Sequence, residues 1–462
     1  MLFNSYVFLF LFFPVVLAGY YALPRPQWQL AFLLLMSLVF YAYWSITYLF
    51  LLIVVVVLDF WLAAAIHRSE NTGRRRGLLI LSLVLNLGLL FFFKYAGLVA
   101  TTINHLAPVL PAISLVLPIG LSFYTFQSLS YVIDVYRRHS SAHPSLLSYS
   151  TYVTMFPHQI SGPLVRHNTI IPQLEDGATY RVQSDNLWRG AFFFVTGLAK
   201  KILIADFISR GINPIITNMA TASNSEAWLA MVGYTLQLYF DFSGYSDMAT
   251  GLCLMLNIRL PQNFDSPYKS GSITEFWQRW HMTLSSWLRD YLYISLGGNR
   301  GTKFATYRNL MLTMALGGLW HGATWMFVLW GIYHGLLLAI ERATGIGRGI
   351  TPNALRIALV FLLAALGWIL FRAPDLSIAT VWYQKVFLLN PTLSWDLLSI
   401  PIKHRDRFGV AFLAGLVIVF AARNTWRIAF APSYRNVLLL VLLFALCLPF
   451  LGDESPFLYF QF

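Results

Sequence analysis

Eleven apolar runs of membrane-spanning length follow one another along this 462-residue chain, at about 4–23, 28–45, 47–66, 77–100, 114–136, 187–208, 226–257, 307–340, 352–372, 408–422 and 435–451. A hydrocarbon core roughly 30 Å thick is crossed by about 20 helical residues, and the run 307–340 is long enough for two crossings. Such runs leave no polar face for water, so they belong in lipid and must satisfy their own backbone groups. Composition agrees: 58% of residues are hydrophobic and 11% charged, whereas soluble domains are about a quarter charged. The expectation is an all-α polytopic membrane protein, with one membrane domain covering 1–462. No internal repeat, low-complexity tract or soluble module interrupts it. The first run has no basic residue ahead of it, so it reads as a retained helix rather than a cleaved leader.

Shorter amphipathic pieces lie near 147–163 and 262–296. Pro118 and Pro157 are expected to kink or break helices, and Gly297–Gly298 and Gly317–Gly318 to mark breaks. Basic residues outnumber acidic ones by 32 to 19, for a net charge of +13. They are scattered over short loops, which suits orientation and anionic lipid heads rather than nucleic acid. Loop 67–76 carries four arginines and is assigned to the cytoplasm; 101–113 has no charge and is assigned outside. Arg137 and Arg138 return inside, 209–225 lies outside, and 259–308, with seven basic and three acidic residues, lies inside. Lys200 and Lys201 sit within an apolar run, where they are expected to cap a half-helix. The two cysteines, Cys253 and Cys447, support neither a disulfide framework nor a thiolate metal site.

Against this background the stretch Ser272–Trp330 is polar and titratable. Phe276, Trp277, Trp280, Leu284, Trp287, Leu288 and Tyr291 recur at helical spacing, opposite Glu275, Arg279, Arg289 and Asp290. That pattern fits an interfacial helix equally well as a wall of a site containing His281. His321 is sharper: an imidazole in a membrane-length run is costly unless it pairs or faces an aqueous cavity. Beside a hydroxyl, a neutral imidazole can take its proton while the oxygen attacks a thioester. Loop charge places His281 on a cytoplasm-facing segment and His321 deeper, so the two could line a passage. Trp320, Gln237, Asp241, Arg279, Arg289, Asp290 and His334 complete the candidate substrate-binding set. Asp241 and Asp247 could orient a histidine, bind a proton, pair with Arg279 or Arg289, or act as polar glue between helices. His158, in the broken segment 156–167, reads as polar lining of the passage. No zinc-binding HExxH, phosphate loop, dinucleotide fingerprint or GxSxG elbow occurs, and no metal site is expected.

Several long motifs carry a resemblance: LPIGLSFYTFQSLSYVIDVYR, FPHQISGPLVRH, LQLYFDFSGYSDMATGL, ITEFWQRWHMTLSSWLRDYLYISLGGNR, GGLWHGATWMFVLWGIYHG and the closing SPFLYFQF. With the N-terminal FNSYVFLFLFFPVV, they resemble bacterial membrane-bound O-acyltransferases of the alginate O-acetyltransferase type over nearly the full length. The resemblance implies a ring of about 11–13 tilted transmembrane and re-entrant helices around a central tunnel. It implies that His321, in the WHG motif, is catalytic, and that His281, the second catalytic candidate, which would help position or relay the donor, lies nearer the cytoplasmic mouth. It further implies a multi-pass protein of the bacterial inner membrane, passing an acetyl group from cytosolic acetyl-CoA to an extracytoplasmic polysaccharide. No permanently bound cofactor is implied, and a serine-esterase-like partner outside the membrane often completes the transfer. The chain is shorter than many such members, with 373–407 the expected place of variation. Two other readings stay open: a transporter or flippase whose polar residues line a path without bond-making, and an acyltransferase using another donor, such as a D-alanyl carrier protein.

Overall fold

The computed structural model describes every residue except 112, 114, 346–352, 389–404, 453–457 and 459–462. The closing SPFLYFQF motif, apart from Leu458, therefore lies outside the described residues, as does 389–404 within the 373–407 connection. Among the described residues there is no β-strand, and every apolar run coincides with a helix over most of its length. Helices Ile46–Arg68, Thr72–Leu106, Trp325–Thr344 and Ala354–Arg372 are each long and apolar enough to cross a membrane. Phe8–Ala22, Pro26–Ala42 and Tyr434–Phe450 are shorter apolar helices. Outward-facing side chains such as Phe50 (65% exposed), Val84 (62%) and Val410 (69%) form the apolar exterior that lipid requires. The protein is an all-α, multi-pass membrane protein.

Helix ends differ from expectation in four places, each for a local reason. The helix of the run 114–136 begins only at Leu121, behind Gly120, whose φ is 74°. The amphipathic piece 262–296 is not one helix. It divides into Ile273–Arg279, Met282–Trp287 and a π-helical turn Leu288–Tyr293, because His281 adopts a left-handed backbone (φ 43°). Gly317 and Gly318 do not break their helix, which runs from Lys303 to His321. They serve close packing instead: a Cβ at Gly318 would run into the Phe327 carbonyl oxygen, and one at Gly331 into that of Met314. The bend of this hairpin comes at Gly322–Thr324. Finally, Lys200 and Lys201 end no helix; a π-helical segment Lys200–Asp206 continues from Ser184–Ala199 into Phe207–Thr217.

The basic loops assigned to one side do meet. Arg75 donates to the Tyr136 carbonyl (2.7 Å), Arg138 pairs with Glu70 (3.4 Å), and Arg137 donates to Ser295 Oγ (2.8 Å). Their shared side follows from packing, independently of charge counting.

Two glycine substitutions separate these packing roles. Gly331→Ala should lower the thermal midpoint in detergent, by about 1–3 kcal/mol of stability, because backbone must move to admit the methyl group. At Gly409, among the described residues and beyond its own turn of helix, nothing stands within 4 Å of where a methyl group would be. This position should accept Ala without loss, or with a gain of about 0.5–1 kcal/mol from helix propensity. Equal midpoints for both variants would contradict the close-approach assignment.

Candidate active site

The tight hairpin sets His321 at the last residue of its helix, with 4% of its surface exposed. Its imidazole stands among the rings of Trp330 (5.1 Å), Phe371 (5.5 Å) and Trp320 (5.1 Å). His281 is fully buried, with its ring centroid 6.4 Å from that of His321. The two histidines thus share one site.

Asn263 explains how His281 is held in so strained a conformation. Its Oδ1 accepts from His281 Nδ1 (3.1 Å), Thr283 Oγ1 (2.8 Å) and Thr283 N (3.4 Å), while its carbonyl accepts from Met282 N (2.9 Å). Asn263 Nδ2 donates to Ser246 Oγ (3.2 Å), on the long Asn224–Met255 helix. A left-handed non-glycine residue costs on the order of 1–3 kcal/mol and persists where its surroundings over-determine it. Because Oδ1 can only accept, Nδ1 carries the proton and Nε2 bears the lone pair in neutral His281.

Two cavities converge on His321. One, of about 440 Å³, is walled by Trp277, Gln278, Ser285, Arg289, Gly317 and Trp330, among others. It adjoins a second space of about 390 Å³ edged by Ser272, Glu275, Glu341 and Arg342, sharing Thr274, Gln278 and Tyr293 with it. The other, of about 570 Å³, is walled by Lys94, the 115–123 segment, Ile160, Trp320 and Ala323. It adjoins a space of about 730 Å³ that reaches His105, Trp325 and Asp375 and again includes Lys94. Among the described residues, His321 is the one common to the 440 and 570 Å³ cavities.

The remaining candidates divide by position. Arg289 lines the first cavity, its side chain 63% exposed and paired with Asp290 (2.7 Å). Asp290 also holds Arg166. Burial pulls the Asp290 carboxyl upward, but these two guanidinium groups outweigh it and hold it below the usual carboxylate range. Arg279 turns to Glu275 (2.6 Å) and lines neither cavity at His321. Trp320 walls the second cavity and stacks on Phe126 (5.4 Å). His334 is fully buried in a cage of Trp277, Trp330 and Trp368, without a hydrogen-bond partner on either ring nitrogen among the described residues. Gln237 and Asp241 line neither cavity.

The acids of the long helix choose other partners than Arg279 or Arg289. Asp241 pairs with Lys201 (2.6 Å) and accepts from Leu458 N (3.1 Å), and Asp247 pairs with Lys200 (2.6 Å). His158 is enclosed, its Nδ1 3.2 Å from Gln127 Nε2, and of its broken segment Ile160 faces a cavity. Sequence reasoning passed over Asn263 and Lys94. A lone lysine within the run 77–100 was a usable signal, since charge at that depth demands a reason; Asn263, in a polar connector, offered none.

Asn263→Ala removes the acceptor shared by His281 and Thr283. It should cost about 1–3 kcal/mol in thermal unfolding, with Asn263→Asp, which keeps an acceptor oxygen, losing less. An Ala variant as stable as the parent would show that His281 is held by something else.

Comparison with known proteins bears on what such a site does. The family model for the membrane-bound O-acyltransferases (MBOAT) matches residues 36–352. The probable alginate O-acetylase AlgI of Pseudomonas aeruginosa is 43% identical over 91% of this chain and 81% of its own length. That of Pseudomonas putida is 39% identical over the whole of both chains. The peptidoglycan O-acetyltransferase of Helicobacter pylori is 38% identical over 82% of this chain and 78% of its own. The chain belongs to the membrane-bound O-acyltransferase family and is an O-acyltransferase.

Proposed function

We propose that the protein moves an acetyl group from cytosolic acetyl-CoA to a hydroxyl of an extracytoplasmic polysaccharide, directly or through a serine-esterase-like partner, with His321 as general base. The observation that carries this is the position of His321, the one residue among those described that is shared by the two cavities. A donor can approach from one and an acceptor from the other without either crossing the protein. Loop charge supports the first cavity as cytoplasmic. Its 440 Å³ suits a pantetheine arm, and Arg289 and Arg342 are cations for the coenzyme phosphates.

In the step itself, the His321 imidazole takes the proton of the acceptor hydroxyl as its oxygen bonds to the thioester carbon. The tetrahedral adduct then collapses, the carbon–sulfur bond breaks, and the imidazolium returns the proton to the departing thiolate. An ester and free coenzyme A result. His281, fixed by Asn263 beside His321, keeps the reacting groups aligned. The names of the relatives favour an anionic or cell-envelope polymer as acceptor, with alginate-type exopolysaccharide first. A D-alanyl donor is the alternative, since the teichoic acid D-alanyltransferase of Bacillus subtilis is 29% identical over 51% of this chain.

Release of coenzyme A from labelled acetyl-CoA by the purified protein tests the proposal and separates it from transport without chemistry. His321→Ala should lower turnover by about 10²–10⁴-fold, the usual contribution of a general base; retained turnover would refute the assignment. Arg289→Gln should raise the KM for acetyl-CoA by about 3–10-fold through a lost charge-assisted contact, while Arg279→Gln, whose partner is Glu275, should leave it unchanged. The reverse pattern would exclude Arg289 from donor binding.

A further inference from the structure

The Lys303–His321 helix stops inside the protein, where its last carbonyls have no intrahelical donor. A single π-helical turn, Phe91–Tyr95, meets three of them in succession. Tyr95 Oη donates to the Leu319 carbonyl (3.0 Å). Lys94 Nζ donates to the carbonyls of Trp320 (2.6 Å) and His321 (3.2 Å). The third ammonium proton points to Ser122 Oγ (3.4 Å), in the first turn of the Leu121–Tyr136 helix. An ammonium has three donors, and all three are used here on neutral oxygens rather than on a carboxylate.

Three features set this apart from an ordinary helix cap. Lys94 lines both the 570 and the 730 Å³ cavities, so it borders the space through which an acceptor would reach His321. The turn that carries Lys94 also puts Phe93 on the wall of both spaces, as the π-helical turn Leu288–Tyr293 puts Leu288, Arg289 and Tyr293 on the wall of the 440 Å³ cavity. A cation at a helix C-terminus is favoured by the helix dipole, and here the residue at that terminus is the histidine itself.

We propose that Lys94 is a positioning residue for acyl transfer: by holding the carbonyls of Trp320 and His321 against the Leu121–Tyr136 helix, it keeps the imidazole at the junction of the two cavities. This rests on His321 being the base. Lys94 touches neither donor nor proton in flight; it acts through the helix end. A displacement of about 1 Å at a reacting group can cost on the order of 100-fold in rate, so the effect belongs in kcat rather than in donor binding.

The test compares coenzyme A release from acetyl-CoA, with thermal midpoints, for the wild type, Lys94→Met, Lys94→Arg, Tyr95→Phe and His321→Ala. Lys94→Met should lower kcat by about 10–100-fold while the KM for acetyl-CoA stays near wild type and the thermal midpoint falls modestly, since two helix-end carbonyls lose their donor. Lys94→Arg, which keeps a cation and its donors, should recover part of kcat, and Tyr95→Phe, which frees only the Leu319 carbonyl, should cost less than Lys94→Met. Wild-type kcat in Lys94→Met, with His321→Ala inactive, would overturn the positioning role alone. So would a Lys94→Met variant whose midpoint and KM collapse together with kcat while Lys94→Arg and Tyr95→Phe match wild type in all three. Wild-type turnover in His321→Ala would overturn both the role of Lys94 and that of His321.

Discussion

A helix that ends away from water must hand its terminal carbonyls to donors supplied by the protein. The site depends on this constraint being met at His321. Its helix can stop there because the Phe91–Tyr95 turn receives the carbonyls of Leu319, Trp320 and His321. Where the helix stops, the chain can turn back through Gly322–Thr324, and the imidazole stands at an end rather than along a wall. The close approach of Gly318 to Phe327 and of Gly331 to Met314 keeps the returning helix near enough for Trp330 to flank the ring.

The same rule governs His281. Irregular backbone is tolerated in the interior only when its polar groups are satisfied, and Asn263 satisfies several at once around a left-handed residue. The two histidines are thus presented by chain breaks, one at a helix end and one between two short helices. The charges along the Asn224–Met255 helix and its neighbour follow a different logic. Lys200 is matched with Asp247, and Lys201 with Asp206 and Asp241, at 2.6–2.8 Å, so each of these charges has a partner of opposite sign.

Much of this was legible in the sequence. The spans were, because bilayer thickness imposes a length on apolar runs that no neighbour alters. The pairing of basic loops on one side was legible for a similar reason, since charge acts on each loop separately. His321 stood out because an ionisable group in an apolar run is anomalous wherever its partners lie, and long motifs strengthened the reading. Gly317–Gly318 misled, since glycine pairs serve helix breaks and close helix contacts alike, and only the facing Phe327 carbonyl tells them apart. The spacing of Trp277, Trp280, Leu284 and Trp287 likewise passed unbroken over the helix break at His281, because periodicity records which side chains are apolar and not the φ of the residue between them.

By itself the sequence determined an all-α membrane protein of the acyltransferase family, its apolar spans, and His321 as the candidate around which a site is sought. Tertiary structure alone decided that His281 and His321 share a site, that two cavities meet at His321, and that Asn263 and Lys94 hold the pair in place. The physical reason is distance along the chain: hydropathy and helix length belong to contiguous residues, whereas Asn263 lies 18 residues from His281 and Lys94 lies 227 from His321. Only folding brings such groups within hydrogen-bonding range.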